Sequence, residues 1–221
     1  AAGALFTRVA FKEVRDNLFG DSIRFMITGG SSIAKETMRF FNSIGYHLAD
    51  GYGMSEIGIT SLELSKKPTV LNDGYIGKPM DGVEYRVNDD GELEVKGKAI
   101  ACYIIEDGEK KIINTDFFNT HDLAVCENGH YKILGRRDDL IVGSSGENLN
   151  PNLIEPQLKR KDVNEVCLIG AHDGAHIVPT LVISVNRFIS EDKLAALDQS
   201  IRQKLEEIHL NAEIKKILYV S

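Results

Sequence analysis

The sequence predicts an α/β (α+β) protein in three successive regions. Residues 1–80 mix helix and strand, 81–137 read as a small antiparallel β subdomain, and 138–221 read as α+β. Three observations lead there. A strand–helix–strand pattern covers residues 23–49, and such units pair in parallel. Alternating segments separated by Gly-containing turns fill the middle region. A helical apolar stripe lies between strand-like runs in the last.

The elements follow in order. Leu5, Phe6, Val9, Val14 and Leu18 recur at roughly helical spacing, and Gly20 ends that helix. Residues 23–28 form a short apolar run, read as a buried strand. Gly29-Gly30-Ser31-Ser32 then turns, with Ser32 as cap of a helix over 33–44. Glu36 lies near its positive end and Gly45 just beyond it. Residues 46–49 return as a strand. Further on, residues 83–88 and 92–96 flank Asp89-Asp90-Gly91, and 122–126 and 131–134 flank Glu127-Asn128-Gly129-His130, giving two hairpins. Strands are expected at 163–170, 180–185 and 214–220. Ser190 caps a helix whose stripe is Leu194, Leu197, Ile201, Leu205 and Ile208. Pro156 keeps the helix over 152–159 short or kinked.

Composition narrows the function. With 26 Lys+Arg against 33 Asp+Glu among 221 residues, the net charge is −7. That balance argues against non-specific nucleic-acid binding. No apolar run approaches the ~20 residues that span a bilayer, and residues 1–5 lack the pattern of a signal peptide. Cys102, Cys126 and Cys167 have no redox or zinc spacing. They are read as small hydrophobes near or in the core, in a reducing, cytoplasmic compartment.

Several segments carry groups suited to chemistry. Gly29-Gly30-Ser31-Ser32 follows a strand and opens a helix, which suits a flat or anionic ligand or simply a tight turn. It is not a P-loop, since no Gly-Lys-Ser/Thr follows. Asp50-Gly51-Tyr52-Gly53-Met54-Ser55-Glu56 follows the next strand and falls on the same sheet edge, where ligands bind in open α/β sheets. Tyr52 offers an aromatic face in mobile-looking backbone, and Ser55 a hydroxyl for a phosphate oxygen. Glu56 is a hard-oxygen donor for Mg²⁺, or a solvated surface acid. Asp122, after Thr120-His121, can accept from both ribose hydroxyls or serve as a turn residue. His121 reads as a surface histidine before an acid or base. Gly135-Arg136-Arg137-Asp138-Asp139 offers phosphate- or ribose-binding guanidinium groups, or an ion-pair cluster. The Gly/Ser-rich stretch from Gly143 to Pro151 suits a hinge.

Taken together and in this order, GGSS, YGMSE, THD and GRRDDLIVGSSGENLNPNLIE resemble the AMP-forming acyl-CoA synthetase, or adenylate-forming, superfamily. Leu140-Ile141-Val142-Gly143-Ser144-Ser145-Gly146-Glu147-Asn148 is most similar to long-chain fatty acid–CoA ligases, as is the opening Phe11-Lys12-Glu13-Val14-Arg15. The resemblance implies that Gly29, Gly30 and Ser31 line the adenine side of an ATP/AMP site. Asp50, Gly51 and Tyr52 complete that wall, with Tyr52 against the adenine plane. Ser55 touches the α-phosphate and Glu56 binds Mg²⁺, while Asp122 and Arg136 bind the ribose with Ile133 packed nearby. Asp138 is the implied hinge of a C-terminal lid domain. Gly143, Ser144, Ser145 and Gly146 form the implied lid loop that approaches coenzyme A.

The implied substrates are ATP, coenzyme A and a carboxylate, a fatty acid on the closest resemblance. Nucleic acid is not an expected partner, and peripheral membrane contact and oligomeric state stay open. His121 stands where the family usually has glycine, and Ser55 where it usually has threonine. The early phosphate loop and the late Gly-Lys lysine are absent from the sequence. The expectation is therefore a C-terminal portion of a synthetase, with a partial parallel layer, an incomplete lid and little activity of its own. Its parallel strands would lack neighbours, leaving edges that invite pairing between copies. Two alternatives are an amino-acid- or aryl-activating adenylation domain with a carrier-protein acceptor, and a non-catalytic nucleotide-binding relative.

Overall fold

The computed structural model describes residues 9–20, 22–113, 116–143, 148–174, 176–208, 210, 214 and 216–221. The chain forms two compact units, Ala1–Ile133 and Leu134–Ser221.

The first unit opens with helix α1 (Lys12–Leu18). Gly20, with φ 77°, ends it by donating its N–H to the Arg15 carbonyl at 2.8 Å. Arg15 is buried and donates to the Ile44 carbonyl at 2.8 Å, tying α1 to the end of the next helix. That burial is invisible to a hydropathy reading. Strand β1 (Met26–Thr28), helix α2 (Lys35–Ser43) and strand β2 (Leu48–Met54) form the expected crossover, with β1 and β2 parallel and Thr28 opposite Asp50. Two details differ from expectation. The turn runs on to Ala34, whose extended backbone precedes α2, and no side chain caps the helix, so Ser32 is not its cap. The second strand also continues through Gly51–Met54, because β3 (Gly58–Leu62) returns antiparallel beside it. Gly53 permits this: a side chain there would run into the Gly58 carbonyl. The segment around Tyr52 is therefore paired strand and not mobile loop. Helix α3 (Pro68–Leu71) and strand β4 (Lys78–Pro79) complete a sheet ordered β1-β2-β3-β4. The run at 23–28 is not the buried strand expected: only Met26–Thr28 is strand, and Ile27 is 62% exposed.

Strands β5 (Val83–Val87) and β6 (Glu92–Gly97) form the first expected hairpin, turning at Gly91 with φ 80°. Strands β7 (Tyr103–Glu106) and β8 (Glu109–Ile112) form a hairpin that the sequence reading leaves out. Its turn, Asp107-Gly108, has both φ values positive. Strands β9 (Phe118–Glu127) and β10 (His130–Arg136) join through Asn128-Gly129, also both positive. The larger antiparallel sheet runs β10-β9-β6-β5. Its inward residues Leu93, Val95 and Ala124 pack with Tyr52, Ile57 and Ile76 of the first sheet's segment.

In the second unit, β11 (Ile141–Val142) pairs with β12 (Asn148–Leu149), and helix α4 (Pro151–Leu158) follows. Pro156 lies inside α4, which stops after eight residues. Strands β13 (Val163–Asp173) and β14 (His176–Val185) are antiparallel, and β15 (Lys216–Val220) adds parallel to β14. Helix α5 (Glu191–Ile208) begins right after Ser190 and buries Leu197 and Ile201 against Leu158, Leu168, Leu181 and Ile183. The expected apolar stripe is the face that packs.

The cysteines correct an expectation. Cys102, Cys126 and Cys167 are all exposed free thiols. Cys167 illustrates why: its neighbour Leu168 takes the inward position of β13, and the pleat turns Cys167 outward. Among the described residues, no helix is long and apolar enough to cross a membrane.

Candidate functional site

The two glycine motifs meet at the C-terminal edge of the parallel pair. With Thr28 opposite Asp50, Gly29 lies against Gly51. A Cβ on Gly29 would stand 2.8 Å from the Gly51 carbonyl oxygen, so a side chain there would part the two turns. Gly30 has φ 80°, and Gly30 and Ser31 are exposed. Asp50 is 7% exposed. Burial pushes its carboxyl up to about 6, against the smaller effect of the Gly51 N–H.

Tyr52 extends inward from β2. Its hydroxyl donates to Asp122 Oδ2 at 2.5 Å, joining residues 70 apart in sequence. Burial, then the bond to Asp122, holds its phenol above the usual range. Its ring meets Tyr85 edge-on at 6.4 Å. Thr60 Oγ1 donates to the Tyr52 carbonyl at 3.3 Å and lies 2.5 Å from the Tyr85 hydroxyl. The ring of Tyr52 is thus fixed in a polar-edged core.

The Thr-His-Asp motif is built on β9. Thr120, 1% exposed, donates to the Leu93 carbonyl at 2.8 Å and accepts the Asp122 N–H at 3.2 Å. It locks the motif to β6 and aims Asp122 at Tyr52. His121 has φ 59°, the left-handed region where glycine is the least strained residue and histidine is among the tolerated ones. Its ring is exposed, with Nδ1 3.4 Å from the buried Glu92 carboxylate. Ile133 packs against the same cluster as Tyr52.

Ser55 and Glu56 lie in the turn between β2 and β3, Ser55 exposed and Glu56 half-buried. The Glu56 carbonyl accepts the Ala101 N–H at 2.7 Å, which anchors that turn. No group of three metal-ligating side chains occurs among the described residues. One carboxylate suits Mg²⁺ that arrives on a nucleotide with its own phosphate and water oxygens, and does not suit an all-protein cage.

In the second unit, Arg136 Nη2 lies 3.5 Å from Asp138 Oδ2, with both side chains largely exposed. Gly143 is half-buried, while Ser144, Ser145 and Gly146 lie outside the described residues. The sequence reading misses Thr120, Tyr85 and Asn150 as supporting groups. Asn150 Oδ1 accepts the Asn152 N–H at 3.0 Å and its Nδ2 donates to the Leu134 carbonyl at 3.1 Å, closing over Gly135. Its position one residue before Pro151 is a helix-start signal that could have identified it.

Comparison with known proteins identifies the family and the fold. The AMP-binding enzyme family matches residues 4–101. Long-chain-fatty-acid–CoA ligase FadD15 of Mycobacterium bovis is 32% identical over 164 residues, covering 72% of this chain and 26% of that protein. The 2-succinylbenzoate–CoA ligase of Listeria innocua is 28% identical over 193 residues, covering 85% of this chain and 41% of that one. Among solved structures, O-succinylbenzoate coenzyme A synthetase of Bacillus subtilis, in complex with ATP and magnesium ion, shares the fold. Its TM-score is 0.72 over 98% of this chain and 46% of its own, at 24% identity. The chain thus spans less than half the length of each of these relatives, and over that stretch it belongs to the AMP-forming acyl-CoA synthetase superfamily.

Proposed function

We propose that the chain is part of an ATP-dependent acyl-CoA ligase that activates a long-chain fatty acid. The carboxylate attacks the α-phosphate of ATP, giving acyl-AMP and pyrophosphate, and the thiol of coenzyme A then displaces AMP to form the thioester. One observation carries the reading: Tyr52 and Asp122, from two separate motifs, meet at 2.5 Å beside the edge that carries Gly29, Asp50 and Gly51. The 32% identity to FadD15 supports the fatty-acid choice.

In this reading, Gly29, Gly30, Ser31, Asp50, Gly51 and Tyr52 form the adenine side. Asp122 takes the ribose hydroxyls, and Ile133 backs it. Ser55 takes the α-phosphate, and Glu56 would hold Mg²⁺, which supplies charge neutralisation on the phosphates when bound. Residues 138–221 act as the lid, with Asp138 as its hinge and the loop at Gly143 meeting coenzyme A. The three exposed thiols support a reducing, cytoplasmic compartment. The chain's sequence holds neither the family's phosphate loop nor its late lysine, so the 221 residues alone are a poor catalyst.

Pyrophosphate release by the full-length protein across a carboxylate panel tests the substrate. Long-chain fatty acids should be turned over fastest. Release with none of them would sink the reading. The wider match to 2-succinylbenzoate–CoA ligase, over 85% of the chain, favours an aromatic keto acid as the second reading, and the same panel includes it. Glu56→Ala and Asp122→Ala should each sharply weaken ATP–Mg²⁺ binding by calorimetry, and unchanged binding in both would remove the site assignment.

A further inference from the structure

From the hydroxyl of Tyr52 we infer that this residue is a positioning residue for Asp122 and thereby sets the protein's preference for a ribose carrying free hydroxyls. The inference rests on the ribose role proposed for Asp122 and adds a second residue behind it. A carboxylate at the start of a ligand contact must be oriented, or its two oxygens rotate through many poses and the contact loses strength. Here the orientation is built from both sides. On the backbone side, Thr120 accepts the Asp122 N–H at 3.2 Å while its own hydroxyl is spent on the Leu93 carbonyl. On the side-chain side, the Tyr52 hydroxyl holds Oδ2 at 2.5 Å.

Tyr52 can do this because it is itself immobile. It is 9% exposed, its carbonyl takes the Thr60 hydroxyl, and its ring stands edge-on to Tyr85. Tyr85 is pinned in turn, its hydroxyl 2.5 Å from Thr60 Oγ1 and its carbonyl accepting from the Tyr131 hydroxyl at 3.2 Å. A phenol locked in this way donates along one direction. It therefore selects one rotation of the Asp122 carboxylate, and with it the direction from which a diol can donate. The chemistry favoured is a vicinal diol on a nucleoside, and a sugar lacking those hydroxyls gains nothing from the alignment.

Tyr52→Phe removes the donor and keeps the ring. Calorimetry with the full-length protein compares ATP with 2′,3′-dideoxy-ATP. The wild type should bind ATP more tightly than the dideoxy nucleotide. In Tyr52→Phe, ATP binding should weaken about tenfold, the worth of one hydrogen bond to a charged acceptor, while dideoxy-ATP binding stays within about twofold. In an Asp122→Ala background the same change should have no further effect on ATP, since the coupling runs through that carboxylate. Equal weakening of both nucleotides, no change in either, or full additivity with Asp122→Ala would overturn the inference. A wild type that binds the two nucleotides alike would overturn the ribose assignment, and this inference with it. A denaturation midpoint for each variant separates lost folding from lost alignment. Should Tyr52→Phe fail to fold, Thr120→Val and Thr120→Ser replace it: the valine must narrow the ATP preference and the serine restore it, or the inference falls.

Discussion

Asp50 shows how a single buried acid can lower stability near neutral pH. Its carboxyl is pushed up to about 6 by burial, above the unfolded value of 3.8. Between those two values the folded state binds the proton more tightly than the unfolded state does. The group's contribution to stability is therefore most favourable below pH 4, falls as pH rises through 6, and is lowest above it. At about 1.4 kcal/mol per unit, the cost near neutrality is of order 2–3 kcal/mol. Asp50→Asn should raise stability at pH 7 by about 2 kcal/mol and flatten the decline between pH 4 and 6, as measured by urea unfolding. An unchanged slope would mean that some other group carries it. His121 invites the opposite kind of test. Its φ of 59° is strained for a side chain, and its ion pair with Glu92 is on an exposed ring. His121→Gly should therefore stabilise by about 1 kcal/mol, seen as a higher unfolding midpoint. A loss of stability would show that the Glu92 contact outweighs the backbone strain. The family resemblance marks His121 as a departure from glycine, and the left-handed backbone gives the physical reason a glycine suits that position.

Elements were legible where one local rule decided them. Asn128-Gly129 and Gly91 mark hairpins because both turns use positive φ, and burial alternates along Val83–Val87 beside the second. The same rule applies to Asp107-Gly108, yet the strands around it bury little: all of β8 is exposed, so no alternation marks it. The strand through Gly51–Met54 was hidden for a different reason. Glycines read as loop in isolation, and only the returning β3 shows that they are there for close approach. Asp122 was legible as a candidate, but Thr120 and Tyr85, which hold its surroundings, have partners 27 and 25 residues away in sequence and follow no local pattern. Asn150 gives the element scale its test. One amide caps α4 and closes the turn at Gly135. Asn150→Ala should cost about 2 kcal/mol, combining a cap with a half-buried hydrogen bond. Asn150→Asp keeps the cap acceptor and should cost less. Equal losses in the two variants would show that the bond to Leu134, and not the cap, carries the stability.

At the scale of the whole molecule, each compact unit has its own apolar core. Leu93 is fully buried among residues of the first unit, and Leu181 among those of the second. The boundary between the units falls within β10, between Ile133 and Leu134. A core that closes on its own residues can open on its own, because the apolar surface it exposes is its own. Truncating either leucine should cost about 2–5 kcal/mol, through lost transfer energy and the cavity left behind. The cost should stay within the unit that pays it. Leu181→Ala is expected to speed amide hydrogen exchange in β13, β14 and β15 while leaving β5, β6 and β9 at the wild-type rate. Leu93→Ala should do the reverse. Peptide-resolved exchange reads both variants in one experiment, and each serves as the other's control. If either change accelerates exchange to the same degree in both units, the chain opens as one cooperative body. The separate packing of Leu158, Leu168, Leu181, Ile183 and Ile201 argues against that outcome.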